Sequence, residues 1–450
     1  MAPVVRKDIL TLTTEEKDNL VLAFKLVQEL PADDPDSFFT IGGLHGIPGE
    51  FYCHHGDPLF PTWHRAYLYT LEKSLQKQVP GVALPYWQEI DSITEGHPHT
   101  AIPSILTDET YTFADGTTIP NPLKSFTLEK AVEDTYKEKG KQGFPYSKPA
   151  GYTTNETADQ LLKQLGAGLK YKLQRCLFAD SYTAFSNTTS ANLWNKARGD
   201  KNFIMSLESP HNGMHLALGG IQLPWQDASA IPFANGDMGD NETAGFDPIF
   251  YFHHCFIDYM FWNWQQKHDS TDTLFFDKQY LAKEDQDKNL QTSLDPFTAP
   301  GESRPMTSQD VVDIANLGYS YDKPIDLGDI VQADTVSETV TPRLLVQDVD
   351  KSKYSGSFIV TITVKENGEL KEVIDAEPIL SRYNVESCAN CLDHVKFDYR
   401  VALTGWSVED ATRVKAAGHF YTDIHTRDHP EGLPPGGDIG DRKPKLELEI

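Results

Sequence analysis

At 450 residues, with 39% hydrophobic and 24% charged side chains, the chain has the length for two or three domains and the composition of a globular protein with ample core. Its net charge of −26, from 40 basic and 66 acidic residues, excludes a nucleic-acid surface built as a basic stripe and makes anionic substrates poor partners unless the site is locally basic. No apolar run approaches the roughly 18 residues that a membrane span needs.

The N-terminus, MAPVVRKDILTLTTEEKDN, lacks an apolar signal core. That points to an intracellular protein, a trimmed mature form carrying a start Met being the alternative. Residues 8–30 open with the cap signal Thr13-Thr14-Glu15-Glu16 and continue with apolar residues three and four apart, which predicts a helix. Residues 37–60 are rich in Gly and Pro and read as an ordered loop. The helical period returns over Trp63–Leu75, with Thr62 as its cap and His64 in its first turn. PGVALPYW, residues 80–87, reads as a short buried segment. Residues 95–155 are polar, with Gly/Pro turn clusters, and read as a surface excursion. Helices follow over 156–196 and from His211 to Leu218. A loop over 219–245 leads into an apolar helix from Phe246 to about Lys267.

The pattern changes near residue 330. Six β-type runs follow, RLLVQDV, SFIVTITV, EVIDAEPI, HVKFDYRVAL, HFYTDIH and KLELEI, separated by turns. The expected architecture is therefore a mainly α core over 1–325, a linker over 326–339, and an all-β antiparallel sandwich or barrel over 340–450.

Histidines carry the chemistry. His45 stands in GLHGIPG, and Cys53, His54, His55 and His64 stand in YCHHGDPLFPTWHR. His211 and His215 are one helical turn apart in SPHNGMH, so both lie on one face. His253 and His254 are adjacent in FDPIFYFHHCFIDYMF. No Asp or Glu stands at a matching ligand position. An imidazole set of this kind suits copper, zinc, iron or nickel rather than magnesium or calcium. Three neutral nitrogens per ion leave positions open for an exogenous ligand. Five cysteines are too few for a disulfide scaffold in a chain of this length. Cys176 and Cys255, in apolar surroundings, read as buried free thiols.

These motifs resemble the type 3 copper family, which comprises tyrosinases, catechol oxidases and the functional units of molluscan haemocyanins. The family's first motif ends in FPxWHR, here Phe60 to Arg65, and its second, HNxxH followed by DPxFxxHH, is met by His211, His215 and Asp247–His254. The resemblance implies two copper ions, one on His45, His55 and His64 and the other on His211, His215 and His254, with His54 and His253 as supporting or packing residues. It implies a thioether between Cys53 and His55, a free buried thiol being the alternative. Phe250 would pack over the site. Tyr319-Ser320-Tyr321 resembles the motif that ends the family's core, and Arg6 is placed to pack on it. Two departures stand out. Gln88-Glu89 follow PYW where many members have Asp-Trp, and only ten residues separate His45 from His55.

The family oxidises o-diphenols to o-quinones with O2, and some members hydroxylate monophenols. A phenol's pKa near 10 makes proton removal unfavourable without a base. Glu208 and Asn212 stand where tyrosinases hold a basic water; the plain alternative for Glu208 is a helix N-terminal carboxylate. Leu216 leaves space beside the site. Met238 and Asn241 align with the loop bordering the substrate entrance in fungal members. The β-region suits a shield that inserts one side chain, with Leu380 and Tyr383 as plug candidates. Cys388 and Cys391 form a CxxC read as a copper-loading pair, a local disulfide or a metal half-site. His97 and His99 have no assigned role, and His394, His419, His425 and His429 read as surface residues. Small phenols are the expected partners, with a copper donor or an activating protease. A phenol oxidase latent until the β-domain is displaced, with melanin chemistry downstream, is the leading expectation; an oxygen carrier is the alternative.

Overall fold

The computed structural model describes residues 3–46, 53–93, 101–124, 155–198, 203–221, 223–225, 237–326, 341–354, 356–382, 385, 392–426, 429, 431–433 and 443–450. Thr14–Gln28 is a helix begun by a full capping box: Thr13 Oγ1 accepts from the Glu16 N–H, and Glu16 accepts from the Thr13 N–H. The stretch read as a loop holds a further helix, Phe38–Gly43, begun by the Ser37 side chain. Its two phenylalanines are buried in the core, which outweighs the Gly content that argued for a loop. The next helix runs Phe60–Gln78 and starts earlier than the sequence implied. Pro61 fits its first turn, because that position needs no N–H donor. Thr62 is therefore inside the helix, its hydroxyl bonded to the Leu59 carbonyl and to Ser308, and His64 falls in the second turn.

The helices Asn155–Cys176, Tyr182–Ser186 and Thr188–Arg198 cover the predicted helical region. Glu208–Gly219 carries His211 and His215, and Ile249–Lys267 carries His253 and His254. Ile249–Lys267 is buried almost throughout and packs on Phe60–Gln78. One apolar core unites residues from Ile9 to Tyr321. The described part of the 95–155 excursion contains a short hairpin, Thr110–Thr112 with Thr118–Pro120.

A buried ion cluster pins the central helix one turn beyond His254. Asp258 accepts from Arg65 Nε (2.5 Å), Arg6 Nη1 (3.1 Å) and the hydroxyls of Tyr319 and Tyr321 (2.6 Å each). Val4–Arg6 and Tyr319–Tyr321 pair as parallel strands, and the Arg6 guanidinium lies 3.6 Å from the Tyr319 ring centroid. Burial works against the Asp258 charge, but Arg65 and Arg6 outweigh it and hold its carboxyl below the usual range.

All six predicted strands form beyond residue 340. Lys396–Ala402, Arg343–Asp350 and Lys445–Glu449 make one antiparallel sheet, and Phe420–Thr426, Phe358–Glu366 and Glu369–Ile379 make another. Leu344 and Val346 from one sheet share a core with Val360 and Ile424 from the other, the arrangement of a sandwich. The helix Val408–Ala416, capped by Ser407, was not anticipated. A third apolar cluster joins Leu216, Ile221 and Leu223 to Ile359 and Leu380 and fastens the sandwich over the Glu208–Gly219 helix.

Candidate metal centre

Two groups of buried histidine nitrogens lie side by side in the helical core: His45, His55 and His64, and His211, His215, His253 and His254. In each group the candidate ligand atoms lie within 4.8 Å of one another, and neither group contains a carboxylate. The groups share a wall. The His64 ring stacks on His254 with centroids 4.6 Å apart, and His55 stacks on His211 at 5.6 Å.

Four of the rings are held by the same device. Nδ1 of His45 meets the Asn241 carbonyl (3.1 Å), Nδ1 of His64 the Phe60 carbonyl (2.8 Å), Nδ1 of His215 the Met238 carbonyl (2.7 Å), and Nδ1 of His211 the Asn212 Oδ1 (3.0 Å). Each partner is an acceptor, so Nδ1 carries the proton and Nε2 is left with a lone pair. The Nε2 atoms of His45 and His64 are buried without a hydrogen-bond partner, as are both ring nitrogens of His55. Those of His211 and His215 each lie 3.2 Å from His254 Nε2. Lone pairs gathered this way in a dry interior repel one another, and a cation between them removes the conflict. The residues therefore fit a metal site. Burial, reinforced by neighbouring rings, pushes these histidines far below their usual pKa, His64 to about 3. They stay neutral, as ligands must.

One short loop serves both groups, since Met238 and Asn241 each offer a backbone carbonyl to a different triad. Both residues are buried, and Asn241 lines the small void beside His55. Close backbone contact makes this possible: a Cβ on Gly46 would stand 2.0 Å from the Glu242 oxygen, so only glycine lets the His45 segment lie against that loop. Phe250 stacks on His254 at 4.0 Å and meets His45 edge-on at 4.9 Å. His253 Nδ1 lies 2.6 Å from Glu89 Oε1, so the unusual Glu89 has a partner in the site's second histidine pair.

Glu208 accepts one backbone N–H at each oxygen, Oε1 from Gly56 (2.7 Å) and Oε2 from Thr188 (3.1 Å), which leaves a further lone pair on each. Burial raises its pKa. Leu216 does not leave open space, because Ile221, Leu223, Ile359 and Leu380 pack around it.

The sandwich reaches into the site from above. Leu380, Arg382, Val385 and His394 join Cys53, His55 and Asn241 around a void of about 20 Å³. Arg382 Nη2 donates to Cys53 Sγ (2.7 Å) and to the His45 carbonyl (3.1 Å). His394, expected on the surface, is buried against Gly56, with Nε2 3.3 Å from Asp285. Asp285 also meets Lys288, which pairs with Asp57, and Asp57 holds His54 at 2.6 Å. His54 thus belongs to an ion network joining the two halves of the chain. His425 is buried as well, bonded to Thr361. Arg382 and His394 were not anticipated as site residues, and nothing local to them in the sequence signals a contact with residues 53–56. Tyr383, Cys388, Cys391, His97 and His99 lie outside the described residues.

The common central domain of tyrosinase matches residues 35–267. A tyrosinase of Aspergillus oryzae is 34% identical over 519 aligned positions, covering 95% of this chain and 94% of that protein. The chain belongs to the tyrosinase family. A tyrosinase from Burkholderia thailandensis, solved at high pH, superposes with a TM-score of 0.76 at 32% identity and 100% coverage of both chains. A G-type haemocyanin of Enteroctopus dofleini is 28% identical, over 71% of this chain and 10% of its own length. Tyrosinase-family membership makes this an oxidoreductase of the type 3 copper class, and its histidine groups fit the metal.

Proposed function

We propose that the chain oxidises o-diphenols to o-quinones with O2 at two copper ions, one held by His45, His55 and His64 and the other by His211, His215 and His254. The observation that carries this reading is the pair of adjacent clusters of buried histidine nitrogens, four of whose rings are turned by Nδ1 tethers. Copper bound there supplies the redox chemistry with O2, and the protein supplies geometry and dryness. His254 is preferred to His253 as ligand because its Nε2 lies 3.2 Å from the Nε2 atoms of both His211 and His215.

Hydroxylation of monophenols needs a base for the phenol proton. Glu208, raised by burial, is suited to take that proton through water, with Asn212 fixing His211 beside it. Cys53 is proposed to be joined to His55 as a thioether that fixes the ring. Its test is thiol labelling of the unfolded chain, in which Cys176 and Cys255 react and Cys53 does not.

The 340–450 region is proposed as a shield over the 1–325 catalytic domain, with 326–339 as the linker. A void of about 20 Å³ beside His55 holds about one water and no phenol. Leu380 is the described plug candidate, and Arg382 reinforces it. Small phenols are the substrates, and an activating protease and a copper donor are the proposed partners. Metal analysis and oxygen uptake with catechol test the reading together. Two coppers per chain with uptake after removal of the shield support it; bound copper with reversible O2 binding and no uptake makes the chain a carrier.

A further inference from the structure

Away from the histidines, a cavity of about 410 Å³ opens where the helices Asn155–Cys176 and Thr188–Arg198 face the strands Glu369–Ile379 and Lys396–Ala402. Its size suits a small organic ligand. The charges on its wall do not balance. Lys172 Nζ lies 2.6 Å from Glu377 Oε2, and the Ser209 hydroxyl donates to the same oxygen (2.9 Å). Arg400 is engaged by both Glu449 oxygens (2.7 Å each) and by Asn192. The cations are therefore committed. Asp375, two residues before Glu377 and on the same face of the strand, accepts from the Ala376 N–H and shares the charge of Lys172 with Glu377, so one lysine faces two carboxylates. Burial pushes its carboxyl up to about 6, and Glu377 adds to the rise while Lys172 opposes it. The hydroxyl of Tyr399, a wall residue 4% exposed, has no hydrogen-bond partner. The rest of the wall includes the aromatic rings of Tyr171, Phe203 and Trp406.

We infer that this cavity binds a small arylalkyl monocation, its ammonium group on Asp375 and its ring among Tyr171, Phe203 and Trp406. One lysine shared by two carboxylates leaves the wall with excess negative charge, which in a partly dry cavity favours a cation, and the aromatic wall favours both the charge and the ring. An anion would meet Asp375 and Glu377, and a neutral ligand would leave that excess uncompensated. Because the wall comes from both halves of the chain, the occupant bridges them. The site is separate from the histidine centre and does not depend on the chemistry proposed there.

The test is calorimetric titration of the full copper-loaded chain at pH 7 with phenethylamine, which has no ring hydroxyl, and with 2-phenylethanol, its neutral analogue. The amine is expected to bind at least about tenfold more tightly than the alcohol. Asp375→Asn is expected to erase that preference without loss of thermal stability, since it removes a like charge beside Glu377. Tyr171→Ala, at the half-exposed rim, is expected to weaken both ligands together. Equal affinity of amine and alcohol, an amine preference that survives in Asp375→Asn, or no binding at millimolar concentration would each overturn the inference.

Discussion

Arg382 Nη2 stands 2.7 Å from Cys53 Sγ, a contact between residues 329 positions apart. The guanidinium belongs to the β-sandwich side, is 1% exposed, and also donates to the carbonyl of His45. Its charge is thus committed to the backbone and side chains that carry the first histidine group. Charge-assisted hydrogen bonds of this kind contribute about 1.5–3 kcal/mol each. Arg382→Gln is therefore expected to loosen the shield and raise catechol oxidation by the uncleaved chain about tenfold or more. Unchanged activity in that variant, with the fold intact, would show that Arg382 is not a latch.

The choice between His253 and His254 is open to direct measurement. His254→Gln removes the nitrogen nearest to His211 and His215, so copper content is expected to fall to about one per chain. His253→Gln leaves all three convergent nitrogens in place and is expected to keep about two coppers per chain, at reduced affinity. Elemental analysis after dialysis against a chelator distinguishes the outcomes, and the reverse pattern would reassign the ligand.

Most of this site can be read from the sequence, because its chemistry is local. His211 and His215 lie one turn apart, and the FPTWHR and FDPIFYFHH stretches put His64 and His254 on apolar helices. The six strands were legible from their alternation and turns. What stayed hidden depends on distant contacts. Two of the four Nδ1 tethers come from backbone carbonyls of Asn241 and Met238, which have no side-chain signature. Arg382 and His394 are unremarkable polar residues until the sandwich folds down on residues 53–56. The Phe38–Gly43 helix was obscured by its glycines, since the burial of Phe38 and Phe39 that favours it appears only in the packed core.

Glu208 has two tasks that one substitution separates. Its carboxylate ties Gly56 to Thr188, and it is the proposed acceptor of the phenol proton. Glu208→Gln keeps one acceptor oxygen and loses the base. Monophenol hydroxylation is expected to fall roughly 10²–10⁴-fold, the range for loss of a general base, while catechol oxidation changes little. Equal losses with both substrates would mean that Glu208 acts only through the loop it ties down.

The Asp258 cluster gives a pH dependence of known sign. Its folded pKa lies below the unfolded value, so its stabilisation is fully present above the usual carboxylate range near 4 and is lost as pH falls through the folded pKa. Asp258→Asn leaves Arg65 without its buried counter-charge and Arg6 with Glu72 alone, and is expected to cost about 3–5 kcal/mol at pH 7. The gap in thermal stability between wild type and variant should narrow as pH drops below about 4. A gap independent of pH would assign the loss to packing instead of charge.

The central claim is that the two histidine groups hold a copper pair that oxidises phenols beneath a removable β-domain. Oxygen uptake with catechol, measured on copper-loaded chain before and after limited proteolysis between residues 326 and 339, tests it most directly. The account predicts little uptake before cleavage and rapid uptake after it. Protein that carries two coppers per chain and consumes no oxygen in either form would contradict it.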